Sequence, residues 1–409
     1  MYKSELNSTE IRQATASASG DTAARRSLRN MATIVFLAGM TVLSGCKKPD
    51  DSTKDGPGTA TEPLKVANVA DLKRVGSDEK GPEGEKWAKD KHYLQVADID
   101  LSGEGNWKPI GGEFDGKYDG GGYTISNLTV VAKDANRVGL FGRIYNGTVV
   151  NVRLNNVNIS GSGFTVGCVV GDLYAGTVDH CSVNDVTING EFSFAGGIAG
   201  TSGYTAVKPM ISNCMVTNGT ISNSKDGKIG GVVGQNSGGG TTQNCYTTVT
   251  VSGSGTNGGI VGYGAKESTV QYCYATGNIT SESNNVGGIV GGTYCTTQNC
   301  VALNEEITRT TNGDLGRVMG KSSGDNLLNN YARQNMKMTA DGTPISPTDA
   351  TTTGKDGADV SEADYSGANS GTWWSSTAGF PESSWDFAPN RLPHLKGFSG
   401  LTQNPTVTP

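Results

Sequence analysis

Between residues 137 and 320 the apolar positions return in one short pattern, glycine, then two or three mostly apolar residues, then glycine again. The strings RVGLFG, GCVVG, GGIAG, GGVVG, GGIVG, GGIVG and GRVMG end at Gly142, Gly171, Gly200, Gly234, Gly262, Gly291 and Gly320, in steps of 29, 29, 34, 28, 29 and 29 residues. A second apolar element follows each (VVNV, VDHC, ISNC, TQNC, VQYC, TQNC and LLNN), and a third, as in VNIS, VTIN and NITS, closes the unit. Around Cys181 the apolar set is Val178, Cys181, Val183, Val186 and Ile188. Alternation holds only within pairs, so the chain must bend at Asp179-His180 and at Asn184-Asp185. Three short strands joined by two tight bends and one longer turn make a closed coil. A single coil buries little, but coils stacked at a strand spacing of roughly 4.8 Å share a continuous core. The expectation is an all-β, right-handed parallel β-helix, a solenoid of about seven coils with N- and C-terminal caps, right-handed because parallel crossovers almost always are. The glycines then serve bends and close stacking, with Val and Ile filling the interior.

Composition agrees: 60 glycines stand beside only 13 prolines and few helix-forming runs, which excludes collagen and linker chains. The amino end reads differently. Arg25, Arg26 and Arg29 precede an apolar run of signal-peptide length that ends in Leu43-Ser44-Gly45-Cys46. That string resembles the lipobox of bacterial lipoproteins, which implies cleavage after residue 45 and acylation of Cys46. The following Lys47 to Asp51 stretch resembles the signal that exports lipoproteins of the Bacteroidota to the outer face of the outer membrane. Residues 46–63 are polar and read as a flexible tether. Of 33 basic and 39 acidic residues, 28 and 36 remain after residue 45, so a nucleic-acid footprint is absent.

The GG[IV]VG cores with their NCYATGNIT-like strands resemble the GLUG repeat of bacterial surface proteins. The lead-in over residues 93–130 and the closing WWSSTAGFPESSWDFAPNRLPHL segment are similar to other parts of such proteins. The resemblance covers residues 64 to about 335 and the closing segment. It implies an adhesin-like surface solenoid and no particular reaction. The expected organisation is a lipoprotein signal peptide (1–45), tether (46–63), N-terminal cap and lead-in (64–113), repeat β-helix (114–335), and C-terminal loop and cap (336–409). Residues 370–396, with Trp373, Trp374, Phe380, Trp385 and Phe387, are expected to cover the last coil.

Two columns invite chemical readings. Cys181, Cys214, Cys245, Cys273 and Cys300 share one register position, where buried thiols act as small hydrophobes; a metal chain or disulfide ladder is the alternative. Asn151, His180, Asn213, Asn244, Tyr272, Asn299 and Asn329 precede it, where Asn tolerates a left-handed bend. The carboxylates Asp172, Asp185, Glu191, Glu267, Glu282 and Glu305 fall at differing positions, mostly in turns, which argues against the clustered acids of a β-helical glycosidase or lyase. Asp356, Asp359, Glu362 and Asp364 read as a solvated loop. No metal or cofactor is expected. Tyrosines follow the terminal glycine in five coils, at Tyr145, Tyr174, Tyr204, Tyr263 and Tyr294. With Trp373 and Trp374 they are the candidate ligand-binding residues, a stripe on which sugar rings could stack. The function expected is a lipid-anchored surface protein binding glycans or host proteins. A structural spacer and a carbohydrate-active enzyme are the alternatives.

Overall fold

In the computed structural model the described residues are 57–204, 208–282, 284–311, 313–323 and 326–407, so Cys46 and the signal segment lie outside them. The short strand that precedes the Cys column generates a ten-stranded parallel sheet running from Leu64–Val66 to Asn326–Leu328. Its middle residue is one inward column: Tyr93, Tyr118, Val149, Val178, Ile211, Thr242, Val270, Thr297 and Leu327 stack in register, all buried. A second, seven-stranded sheet runs from Phe141–Ile144 to Met319–Ser322 and carries Phe141, Val170, Ala199, Val233, Val261, Val290 and Met319 inward. Longer, bent strands such as Arg153–Gly167 and Ser182–Gly196 form the remaining side. The fold is thus an all-β parallel solenoid, with ten coils where the repeat pattern predicts seven.

The three additional coils precede the first glycine string, two of their sheet strands in the segment expected to cap and the third, Lys117–Asp119, at the start of the expected repeat region. Leu64 pairs with Tyr93 and Tyr93 with Tyr118, so residues 64–119 supply three strands of the sheet. Their interior is filled by aromatic rings in place of the glycine and valine cores. Trp87, Tyr93, Phe114 and Phe141 follow one another at centroid distances of 5.6, 6.1 and 5.1 Å.

The bends follow the Asn column. Asn151, His180, Asn213, Asn244, Tyr272, Asn299 and Asn329 all have φ between 50 and 55°, the left-handed region that Asn enters most readily. In the glycine column Gly231, Gly259 and Gly288, the reason is space. A Cβ at Gly259 would lie 2.1 Å from the carbonyl of Gly288, and one at Gly288 2.1 Å from that of Arg317.

Arg317 stands where that column ends and no further coil opposes it. Its side chain is 1% exposed and closes the solenoid. It donates to the carbonyls of Asp356 (2.9 Å), Gly357 (2.8 Å) and Arg333 (3.3 Å) and to the Asp359 carboxylate (2.6 Å). Asp356 is itself buried and accepts from the backbone N–H groups of Arg317, Thr348 and Asp349. Of the acids expected in a solvated loop, Asp356 is thus buried in an end cap, whereas Asp359, Glu362 and Asp364 are exposed, Asp364 closing a capping box on Ser361 at the helix Glu362–Ser366.

The C-terminal aromatic segment does not cover the last coil; it runs back along the flank. The outward position after the column cysteine is Ser182 in the first of these coils and then turns apolar, as Met215, Tyr246, Tyr274 and Val301 in successive coils. These pack with Tyr365, Trp374, Phe380, Trp385, Leu395 and Phe398 in a second core. The bend column anchors the segment. Asn299 Nδ2 donates to Ala378 O, Asn244 Nδ2 to Ser384 Oγ, and Trp385 Nε1 to Asn244 Oδ1. Farther back, Phe398 lies 6.0 Å from the His180 ring and Arg153 donates to Ser399 O.

Candidate functional site

The five cysteines at 181, 214, 245, 273 and 300 are buried thiols, each donating to the carbonyl two residues earlier at 3.0–3.4 Å. Burial pushes the thiols of Cys181, Cys214, Cys245 and Cys273 well above the ordinary range, so they are inert as nucleophiles. Asn151, Asn213, Asn244 and Asn299 serve the bends and the flanking segment. Trp374 is buried and donates Nε1 to Tyr365 O, and Trp373 packs edge-on to Tyr331 at 5.2 Å. Trp374 offers no platform, because the flank of the solenoid consumes it, and Trp373 is partly buried against the same flank.

The tyrosines divide. Tyr145 and Tyr174 stack at 4.9 Å and 9°, and Tyr174 and Tyr204 at 6.0 Å and 23°. Tyr263 stands two positions earlier, in the column of Arg143, Asp172, Thr201 and Gln235. Tyr294 is exposed but lies three coils beyond Tyr204, so the five do not form one stripe. Within the triplet the rings cover one another's faces. Tyr204, 72% exposed, is the most exposed of the three. Gly203 donates its N–H to Leu173 O and Ser202 accepts from Ser237 N, which sets Tyr204 opposite Gly238, a residue with no side chain to cover it.

Tyr174 and Tyr204 form one wall of a groove of about 750 Å³ on the outer face of the seven-stranded sheet. The opposite wall is Phe164, 51% exposed, with Phe194 edge-on to it at 5.2 Å. They reach the rim because the strands Arg153–Gly167 and Ser182–Gly196 are the longest in the solenoid. The floor is the outward strand column: Arg143, Asp172, Thr201 and Gln235, with Arg137 beside it. Asp172 is 7% exposed at its centre. It accepts from Arg137 Nε (3.2 Å) and Thr201 Oγ1 (2.9 Å) and is ion-paired with Arg143 Nε (3.1 Å). Arg143 also pairs with Glu113 at 3.1 Å, and its guanidinium lies 4.5 Å from the Tyr174 ring centroid. The groove therefore combines aromatic walls with a fixed polar floor, the composition of a site that orients a polar, ring-shaped ligand.

The sequence pattern puts Asp172 among scattered turn carboxylates and does not single out Arg137, Arg143, Phe164 or Phe194. Two signals were present. Arg143 and Asp172 are opposite charges 29 residues apart, one coil period, and Phe164 and Phe194 repeat after 30.

No protein-family model matches the chain. Among curated proteins it is similar to halomucin of Haloquadratum walsbyi, 36% identical over 129 residues, 28% of this chain and 1% of that protein. It is also similar to a "Putative Gly-rich membrane protein" of Evansella cellulosilytica, 33% identical over 128 residues, 29% of this chain and 14% of that one. The chain thus spans a small fraction of either relative. Among solved structures, a Bacteroides ovatus protein described as "a putative immunoglobulin A1 protease" superposes with a TM-score of 0.56 at 21% identity, over 84% of this chain and 95% of that one. That likeness is one of fold.

Proposed function

We propose that this chain is a lipid-anchored surface protein that binds glycans in the groove between Tyr204 and the Phe164–Phe194 pair. The observation that carries the reading is the groove itself. Large aromatic side chains stay exposed on both walls, while every charged group of the floor is tied in place. Sugar rings stack an apolar face on an aromatic ring and present hydroxyls sideways. Here those hydroxyls would meet Thr201, Gln235 and the arginines. A spacer has no use for such a cavity. In Asp172 the central carboxylate is held by two arginines and a threonine, an arrangement suited to positioning a ligand more than to moving a proton. Surface location is supported by the lipobox-like Cys46 and by the membrane protein among the relatives. In this reading the acylated Cys46 inserts into outer-membrane lipid and the solenoid faces the exterior.

The test is a glycan array probed with wild type and Tyr204→Ala. Binding that falls about five- to tenfold in the variant at unchanged melting temperature supports the reading, since stacking on one aromatic ring contributes on the order of 1–1.5 kcal/mol. Undiminished binding by the variant contradicts it, and binding only to host proteins would replace the glycan by a protein ligand. Separately, Cys46→Ala should move the protein from the membrane fraction to the soluble fraction.

A further inference from the structure

The floor of the groove holds an imbalance of charge. Its charged lining residues are Arg137, Arg143 and Asp172, two cations to one anion, in a chain whose formal net charge is −6. Arg143 is satisfied twice, by Asp172 and by Glu113. Arg137 is not. Only its Nε reaches Asp172, at 3.2 Å, and its side chain is 42% exposed. That single bond restrains the guanidinium at Nε and leaves both terminal nitrogens without a protein partner among the described residues. A planar donor fork, held in place and open to a cavity, matches a ligand oxyanion in two-point contact. Asp172 cannot fill the role, because its two oxygens are already taken by Thr201 and the arginines.

We propose that the groove selects acidic glycans, with a carboxylate or sulfate on the sugar paired to the free edge of Arg137 while a neighbouring ring stacks on the exposed ring of Tyr204. This inference rests on the groove being the glycan site. Attraction of such a chain is local, since the protein as a whole repels anions, so orientation along the groove is set by Arg137 and not by overall charge.

The experiment titrates the detergent-solubilised full chain with three matched oligosaccharides, one neutral, one with uronic acids and one sulfated, at low and high salt. The acidic forms are expected to bind at least about tenfold more tightly than the neutral one, with the preference reduced by salt. Comparison of the uronate and sulfate arms identifies which anion the fork takes. Arg137→Gln should abolish the preference at unchanged melting temperature, Asp172 remaining paired to Arg143 and Thr201. Lys65→Gln, the same loss of charge on the N-terminal edge strand, should retain it. A neutral oligosaccharide bound as tightly as the acidic ones, or a preference that survives Arg137→Gln, overturns the inference and leaves the glycan reading standing. Failure of all three to bind overturns the glycan reading of the groove and the inference with it.

Discussion

Replacing Arg317 by Ala tests how the solenoid ends. By repeat logic the change is harmless, because the preceding coils carry the smallest residue, Gly259 and Gly288, at this position. The structure gives the opposite expectation. Arg317 satisfies the carbonyls of Asp356, Gly357 and Arg333, whose residues are all buried. Each carbonyl left without a donor costs about 1–1.5 kcal/mol. The ion pair to Asp359, whose side chain is 58% exposed, adds less than about 1 kcal/mol because solvent screens it. The total is about 4 kcal/mol, a large part of a typical domain's stability. Urea unfolding measures the sum, and amide hydrogen exchange over residues 348–360 locates it. The variant should lose about 4 kcal/mol with exchange accelerated at the cap, and the uncovered strand edges should promote self-association. A loss below about 1 kcal/mol with unchanged exchange would refute the cap.

Three further outcomes follow from the same packing. The thiols of Cys181, Cys214, Cys245, Cys273 and Cys300 should resist an exposed-thiol reagent in the native protein and react on unfolding; rapid native labelling would contradict their burial. Deleting residues 361–409 uncovers Met215, Tyr246, Tyr274 and Val301, so the truncated protein should aggregate or dimerise; a soluble monomer with an unaltered melting curve would sink the flank-covering role. His180 is raised by its 2.6 Å hydrogen bond to Asp179, which outweighs burial. The group raised above its unfolded value contributes stability that is complete below about pH 6.5 and lost as pH rises through the folded value. His180→Asn, the residue its column prefers, should flatten the melting temperature between pH 6 and 8, by the equivalent of about 1 kcal/mol or less for a half-exposed pair; a pH slope identical to wild type would discount the pair.

The repeat was legible because glycine is forced where coils meet. The column through Gly231, Gly259 and Gly288 has no room for a Cβ, so it marks the period without help from the interior. The first coils escaped for the converse reason. Their interior is packed by Tyr93, Phe114 and Tyr118, and aromatic rings fill a coil in many sequences, so they leave no repeated string. The flank was hidden by alternation, since an apolar residue after four of the five column cysteines, Met215, Tyr246, Tyr274 or Val301, looks like more core until a partner outside the solenoid is known. The groove was half legible. Tyr145, Tyr174 and Tyr204 were found by position after the terminal glycine, but stacking closes their faces, which no spacing shows. Its floor required reading charge down the coil period, Arg143 to Asp172, instead of along the chain.

The most direct measurement is a crystal structure of the protein with the oligosaccharide that binds it best. The account predicts a sugar ring on the exposed ring of Tyr204, between that ring and Phe164, with ligand oxygens within hydrogen-bond distance of Thr201, Gln235 or Arg137. A saccharide bound elsewhere on the solenoid, with this groove holding only water, would contradict it.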